Sequence, residues 1–252
     1  MSFAVPADAY DRFMGRYSVH LSAQLADLAG VVAGQRALDV GCGPGALTAE
    51  LVERLGATHV VAVDPSESFV AAARDRHPEV DIRRASAETL PFPDSSFDAA
   101  LAQLVVNFMT DPVAGLTEMR RVTRPDGVIA ACVWDHAGGR GPLSPLWKAA
   151  RELDPQVSGE SQLPGSREGD LKRLFDEAGL REVVETALPV QVEHPSFEEW
   201  WEPFTLGVGP AGGYVAGLDP ERRAALREHL RAAFPDAPFV LESQAWAARG
   251  IA

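Results

Sequence analysis

Leu38-Asp39-Val40-Gly41-Cys42-Gly43-Pro44-Gly45 is the stretch that decides the fold of this chain. The short apolar run from Arg36 to Val40 is stopped by glycines, which predicts a buried strand. Ala46 to Leu55, ending at Gly56, predicts a helix. Between the two, Gly41 and Gly43 let the backbone turn sharply and let a ligand approach where a Cβ would clash. The helix behind the loop offers free N–H groups.

Working outward, the same alternation repeats. Thr58 to Val63 is β-branched and apolar, a second strand. Asp64-Pro65-Ser66 is a turn with Ser66 as N-cap to a helix over Phe69 to Arg76. Val80 to Arg84 and Phe97 to Leu104 read as the third and fourth strands. Pro112 to Thr123 reads as a helix, Pro125-Asp126-Gly127 as a turn, and Val128 to Trp134 as the fifth strand. Upstream, Val19 to Leu28 has helical spacing and is closed by Gly30 and Gly34. These strands lack in/out alternation, so both faces are buried, as in a parallel sheet covered by helices. In such sheets ligands bind beyond the carboxyl ends of the strands, where the winding reverses.

After Trp134 the pattern changes. Residues 137 to 169 are rich in Gly, Pro and Ser and read as an excursion. Leu171 to Ala178 is a helix stopped by Gly179, and Arg181 to Val192 and Phe239 to Ala247 are two long strands. Between these strands, Ser196 to Pro235 carries Trp200, Trp201 and Phe204, then Gly207, Gly209, Pro210, Gly212 and Gly213, then a helix over Pro220 to Phe234. The glycines read as a hinge and the aromatics as the wall of an apolar pocket, so this insertion is expected to be a lid. The fold expected is therefore α/β: a doubly wound, Rossmann-like, mostly parallel seven-stranded sheet with a helical cap formed by insertions. The main domain would take residues 36–195 and 236–252, and the cap 196–235.

Composition narrows the partners. With 252 residues and 46% hydrophobic content the chain can bury a sizeable core. No apolar run approaches the roughly 20 residues needed to span a bilayer. The stretch from Met1 to Tyr17 lacks the apolar core of a secretory signal. A cytoplasmic location is expected. Cys42 and Cys132 lie far apart and read as small buried fillers, and no cysteine–histidine spacing suggests zinc. A net charge of −13 without a Lys/Arg cluster disfavours nucleic acid, which needs a positive face.

Two ligand readings fit the glycine loop. Gly41, Gly43 and Ala46 satisfy the dinucleotide fingerprint, and Asp64, about 20 residues on, suits a ribose diol in either case. Asp39 favours the other reading: an acid beside the loop opposes a pyrophosphate but suits a cationic ligand. Too little chain follows the fifth strand for a typical dehydrogenase substrate domain.

Four stretches in order complete the pattern: Leu38 to Gly45; Val63-Asp64-Pro65-Ser66; Ala87-Glu88-Thr89-Leu90-Pro91-Phe92-Pro93-Asp94-Ser95-Ser96-Phe97-Asp98; and Met119-Arg120-Arg121-Val122-Thr123-Arg124-Pro125-Asp126-Gly127. Together they closely resemble the motifs of small-molecule class I S-adenosylmethionine-dependent methyltransferases, the group that includes the ubiquinone and menaquinone enzymes. The resemblance spans about residues 10 to 134. It implies S-adenosylmethionine as cofactor and assigns roles by position. Gly41 and Gly43 would face the methionine moiety, Asp64 the ribose hydroxyls with Pro65 beside it, and Ala87 and Glu88 the adenine, the Ala87 N–H bonding a ring nitrogen. Gln103 would lie under the sulfonium. Many relatives carry aspartate where Ser86 stands, and the usual Pro-Gly-Gly turn is here Pro125-Asp126-Gly127. Residues 1–35 would close over the cofactor, with Arg16, in the stretch Tyr10 to Tyr17, meeting the methionine carboxylate.

The acceptor side is thinner. Asn107 and Phe108 follow the fourth strand, where relatives place acceptor-facing groups. Trp134, Asp135 and His136 end the fifth strand on the ligand edge, and His136 is the candidate general base. His194 and Glu202 are further candidates of that kind, and Trp200, Trp201 and Phe204 are candidate substrate contacts. The expected reaction is SN2 transfer of a methyl group to an O, N or C nucleophile of a small molecule, catalysed by alignment and exclusion of water. A nicotinamide-dependent oxidoreductase is the alternative enzyme, and a non-catalytic S-adenosylmethionine-binding protein the alternative of another class.

Overall fold

The computed structural model describes residues 7–252; the first six residues of the expected closing segment lie outside it. Seven strands form one sheet in the order β3-β2-β1-β4-β5-β7-β6. They are β1 (Ala37–Val40), β2 (Val60–Asp64), β3 (Asp81–Arg84), β4 (Phe97–Gln103), β5 (Thr123–Trp134), β6 (Arg181–His194) and β7 (Phe239–Ile251). β1 to β5 pair in parallel, and β7 runs antiparallel to both of its neighbours. The winding reverses between β1 and β4, so the carboxyl ends of these two strands form the crevice.

Every residue of β1 and β2 is buried, because helices cover both faces. One face is covered by α2 (Arg16–Ala29), α3 (Ala46–Leu55), α4 (Glu67–Arg76) and α6 (Ser144–Leu153). The other is covered by α5 (Pro112–Val122) and α7 (Asp170–Glu177), whose Leu116, Met119, Leu171 and Phe175 are completely buried in one core cluster with Leu38 and Val40. Each such side chain contributes about 1.5–3 kcal/mol. Before α2, the short helix α1 (Ala7–Tyr10) runs into it through a π-helical turn, Asp11–Gly15. The cap holds α8 (Phe197–Trp201), a 3₁₀ turn (Glu202–Leu206), α9 (Gly209–Gly217) and α10 (Pro220–Ala233). Ser196 caps α8 by accepting the Glu199 N–H at 3.2 Å, and Asp219 caps α10 by accepting the Arg222 N–H at 2.8 Å.

Three elements differ from the sequence reading. β5 begins at Thr123, not Val128, and absorbs the Pro125-Asp126-Gly127 turn as a bulge where the register with β4 shifts. Asp126 takes the left-handed conformation there, at φ 64°, which aspartate tolerates better than most residues. The excursion after Trp134 contains α6, an amphipathic helix that buries Leu146, Trp147, Ala149 and Ala150. The glycine-rich stretch expected to hinge is α9 instead: Ala211 and Val215 are fully buried, and a Cβ on Gly212 would stand 2.8 Å from the Gly207 backbone. Gly212 therefore serves close backbone packing.

Candidate functional site

The loop after β1 is shaped by β2. The N–H groups of Gly41 and Cys42 both donate to the Val63 carbonyl, at 2.7 and 3.0 Å. Gly41 and Gly43 have φ of 72° and 53°, a region that side chains rarely adopt. A Cβ on Gly41 would stand 2.4 Å from Val105, whereas a Cβ on Gly43 would meet nothing within 4 Å. The space above Gly43 is thus open to a ligand. Asp64 spans the gap between the loop and the start of α4: Oδ2 accepts the Gly43 N–H at 2.9 Å and Oδ1 the Ser66 N–H at 2.8 Å. Each carboxylate oxygen keeps capacity for one further donor, which is what a ribose diol requires. Burial raises the Asp64 pKa, and the two N–H donors oppose that shift.

A cavity of about 940 Å³ opens over the carboxyl ends of β1, β2 and β4. Gly41, Gly43, Asp64, Pro65, Ala87, Glu88, Gln103 and Phe108 all line it. A narrower slot of about 30 Å³ runs beneath α2, bounded by Gly15, Ser18, Asp39 and Leu47 among others. Tyr10, Gly41, Gly43 and Gln103 line both, so the two spaces meet at these residues. Asp39 is 1% exposed; its Oδ2 accepts the Thr48 hydroxyl at 2.6 Å, and its Oδ1 has no partner among the described residues. Burial pushes its pKa up to about 7, with Asp64 adding to the shift. Gln103 donates its amide to the Ser18 carbonyl at 3.0 Å, which leaves Oε1 buried and without a described partner. Two bare oxygens in one slot leave a buried donor or cation to be supplied. The ammonium and sulfonium of S-adenosylmethionine meet that demand, whereas a pyrophosphate adds more negative oxygens. The residues present therefore fit this cofactor: Asp39 and Gln103 would face its methionine half and Asp64 its ribose.

Some residues do other work. Glu88 lines the cavity, yet its carboxylate is engaged by the Thr110 N–H at 2.8 Å, the Asp111 N–H at 3.4 Å and the Ser86 hydroxyl. It ties together the rims of the loops after β3 and β4. Arg16 lines neither space. Its guanidinium is held by Glu199 and lies 3.2 Å from the His194 ring, because the first turn of α2 faces the cap at that point. In this structure Arg16 is turned to the cap and not to the slot that would take the methionine moiety.

The acceptor candidates also disperse. Phe108 alone of them lines the large cavity. Asn107 is buried at 6% exposure with Oδ1 unpartnered. Trp134 donates its indole N–H to the Met14 sulfur at 3.2 Å and meets the Tyr17 ring edge-on. Trp200, Trp201 and Phe204 are buried in one aromatic cluster with Phe13, Phe197 and Phe234, so they do not line the cofactor cavity. The aromatic spacing was the packing side of a helix, and the hydrophobic effect filled it with neighbouring rings. His136 lines neither space, and burial pushes its pKa down to about 4. Tyr10 lines both spaces without a role of its own in the sequence reading, whereas Asp39 stands where the acid beside the loop was read as suiting a cationic ligand.

Among the described residues no helix is long and apolar enough to cross a membrane, and no group of three or more His, Cys, Asp or Glu is placed to hold a metal ion.

Comparison with known proteins agrees with this geometry. Residues 38–131 match the Methyltransferase domain family. A demethylmenaquinone methyltransferase of Clavibacter sepedonicus is 38% identical over 192 residues, covering 73% of this chain and 78% of that protein. A demethylmenaquinone methyltransferase of Renibacterium salmoninarum is 34% identical over 110 residues, 44% of this chain and 46% of that protein. The chain spans less than half the length of several of the curated relatives it matches, 42% and 46% in two of them. The YcgJ protein of Bacillus subtilis shares the fold, with a TM-score of 0.57, 18% identity and coverage of 93% and 97% of the two chains. The glycine loop, the aspartate ending β2, the sheet order and these likenesses agree: the chain belongs to the class I S-adenosylmethionine-dependent methyltransferases.

Proposed function

We propose that this chain methylates an O, N or C nucleophile of a small molecule. The observation that carries the reading is the pair of bare, buried oxygens on Asp39 and Gln103, in the slot that joins the large cavity above Gly43. S-adenosylmethionine, when bound, supplies an activated methyl group on a good leaving group. The residues of the chain then bind, orient and dehydrate. Asp64 would hold the ribose, Ala87 and Pro65 would flank the adenosine, and Tyr10 and Ser18 would close the slot from the N-terminal side. Such alignment and water exclusion can account for much of the rate of a displacement that needs no covalent enzyme intermediate. In this reading residues 7–35 are the closing segment and 196–235 a wall on the acceptor side.

The first acceptor to test is a reduced demethylated naphthoquinone with a short prenyl tail, because the Clavibacter sepedonicus relative is a demethylmenaquinone methyltransferase. Calorimetric titration should show S-adenosylmethionine and S-adenosylhomocysteine binding, with NAD and NADP weaker by tenfold or more. Incubation with the isotopically labelled cofactor should then give a product heavier by one labelled methyl. Tighter binding of NAD than of either sulfur ligand would reverse the reading.

A further inference from the structure

The large cavity and the narrow slot meet where Tyr10, Gly41, Gly43 and Gln103 line both. In S-adenosylmethionine the sulfonium sulfur is the atom that joins the two halves; it is bonded to the methionine chain, to the ribose carbon and to the methyl group. With the ribose at Asp64 and the ammonium at Asp39, that sulfur falls at the junction of the two spaces. Of the residues there, Gly41 and Gly43 bring no side chain, and Gln103 brings its bare Oε1. Tyr10 brings an aromatic ring.

The ring is anchored from the donor half of the molecule. It packs edge-on against Phe69 of α4, with centroids 5.2 Å apart and planes at 63°. Asp11, the next residue, pairs with Arg76 at the end of α4, and Arg76 also donates to the Pro44 carbonyl of the glycine loop at 3.0 Å. Burial, with a smaller contribution from the Asp64 charge, pushes the Tyr10 hydroxyl pKa up to about 12. The phenol is therefore neutral near pH 7, and what it offers a neighbouring cation is the negative face of its ring rather than a charge.

Resting on the methyl-transfer reading above, we propose that Tyr10 is the residue by which this site tells the charged methyl donor from its neutral product. A sulfonium is a cation wrapped in carbon, the kind that aromatic faces attract. When the methyl passes to the acceptor, the electron pair of the methyl–sulfur bond stays on sulfur, and the positive charge there is gone. S-adenosylhomocysteine keeps the ammonium, the ribose and the adenine, so Asp39 and Asp64 hold both ligands alike. Discrimination between the two falls to groups at the junction, which are the Tyr10 ring and the Gln103 oxygen. A contact that weakens as the charge disperses does not speed the displacement. It loads the site with donor and lets the spent cofactor leave.

Calorimetric titration with S-adenosylmethionine and S-adenosylhomocysteine tests this without any acceptor. Tyr10→Leu keeps an apolar side chain and removes the ring. It should weaken the donor by about 3- to 30-fold and leave the product within about twofold. Tyr10→Phe should keep the wild-type ratio of the two dissociation constants, whereas Asp39→Asn should weaken both ligands by similar factors. A second arm separates the ring from Gln103 and stands even where Tyr10→Leu fails to fold. Tyr10→Phe carrying one, two or three ring fluorines drains the ring face at nearly constant shape, and donor affinity should fall stepwise while product affinity stays flat. Equal losses for both ligands in folded Tyr10→Leu, or donor affinity that ignores fluorination, would overturn the tyrosine assignment and leave the cofactor reading standing. A wild-type protein that binds neither ligand would overturn both together.

Discussion

Replacing Asp39 with asparagine should make the ligand-free protein more stable and the cofactor site worse. Asp39 is buried at the end of β1, with Thr48 donating to one oxygen and nothing described on the other. Burial raises its pKa from 3.8 to about 7. Below pH 3.8 the carboxyl is protonated in both folded and unfolded states. Between 3.8 and 7 the folded state holds the extra proton, so stability falls as pH rises through that window, and above 7 the full penalty is present. The difference corresponds to up to about 4 kcal/mol, as each pKa unit is worth about 1.4 kcal/mol. Asparagine keeps an acceptor for Thr48 and carries no charge. Urea unfolding of ligand-free protein should therefore show wild type and Asp39→Asn close together at pH 4 and the variant ahead by several kcal/mol at pH 8. Calorimetry should show the reverse for binding, because a charge-assisted contact to the ammonium is lost: roughly 10- to 100-fold weaker S-adenosylmethionine affinity at pH 8. Wild-type affinity should rise from pH 5 to 8 as Asp39 loses its proton to solvent and its carboxylate meets the cation, while the variant should stay flatter. A stability gap of the same size at both pH values, or a variant that binds the cofactor normally, would show that the Asp39 carboxylate does not face the ligand.

Three further outcomes follow from the same geometry. Asp64→Ala should weaken S-adenosylmethionine binding by about 2 kcal/mol or more by calorimetry, since the ribose loses charged acceptors and the Gly43 and Ser66 N–H groups lose theirs; an unchanged dissociation constant in folded protein would refute the ribose contact. Gly43→Val should abolish binding, because φ 53° strains a β-branched residue and its side chain would fill the open cradle, while circular dichroism shows the sheet retained. Trp201→Ala should cost about 3–5 kcal/mol in a denaturant melt, as expected for a buried tryptophan stacked on Phe197, with cofactor affinity in the folded fraction within threefold; a large loss of affinity instead would place the cap on the cofactor itself.

What could be read in the sequence follows the range of the interactions involved. β1, its glycine loop and the aspartate ending β2 are local features: apolar runs cut by glycine, with an acid where the next strand stops. They are recoverable because strand, turn and helix signals act over a few residues. Boundaries set by strand pairing were not, and β5 starts five residues before its apolar run because β4 recruits Thr123 across a bulge. The glycine-rich stretch around Gly212 signalled flexibility locally, and burial of Ala211 and Val215 in the core overrode it. The histidines show the limit most clearly. His136 stood at the expected strand end but is enclosed without a partner on Nδ1, while His194 gains Tyr17 from 177 residues away. No spacing rule reaches that far along a chain.

The register of the last hairpin has a consequence for how this protein can change over generations. β6 and β7 pair without a break from Val184↔Arg249 to His194↔Phe239, so the cap leaves and re-enters the sheet at adjacent residues. A segment whose ends already meet can lengthen, shrink or be exchanged at little entropic cost, since each doubling of a loop adds only about 0.6 kcal/mol. The first 134 residues carry the glycine loop and Asp64 on strands that pair without using this hairpin for their own register. Change in the cap can therefore proceed while the glycine loop and Asp64 are inherited intact.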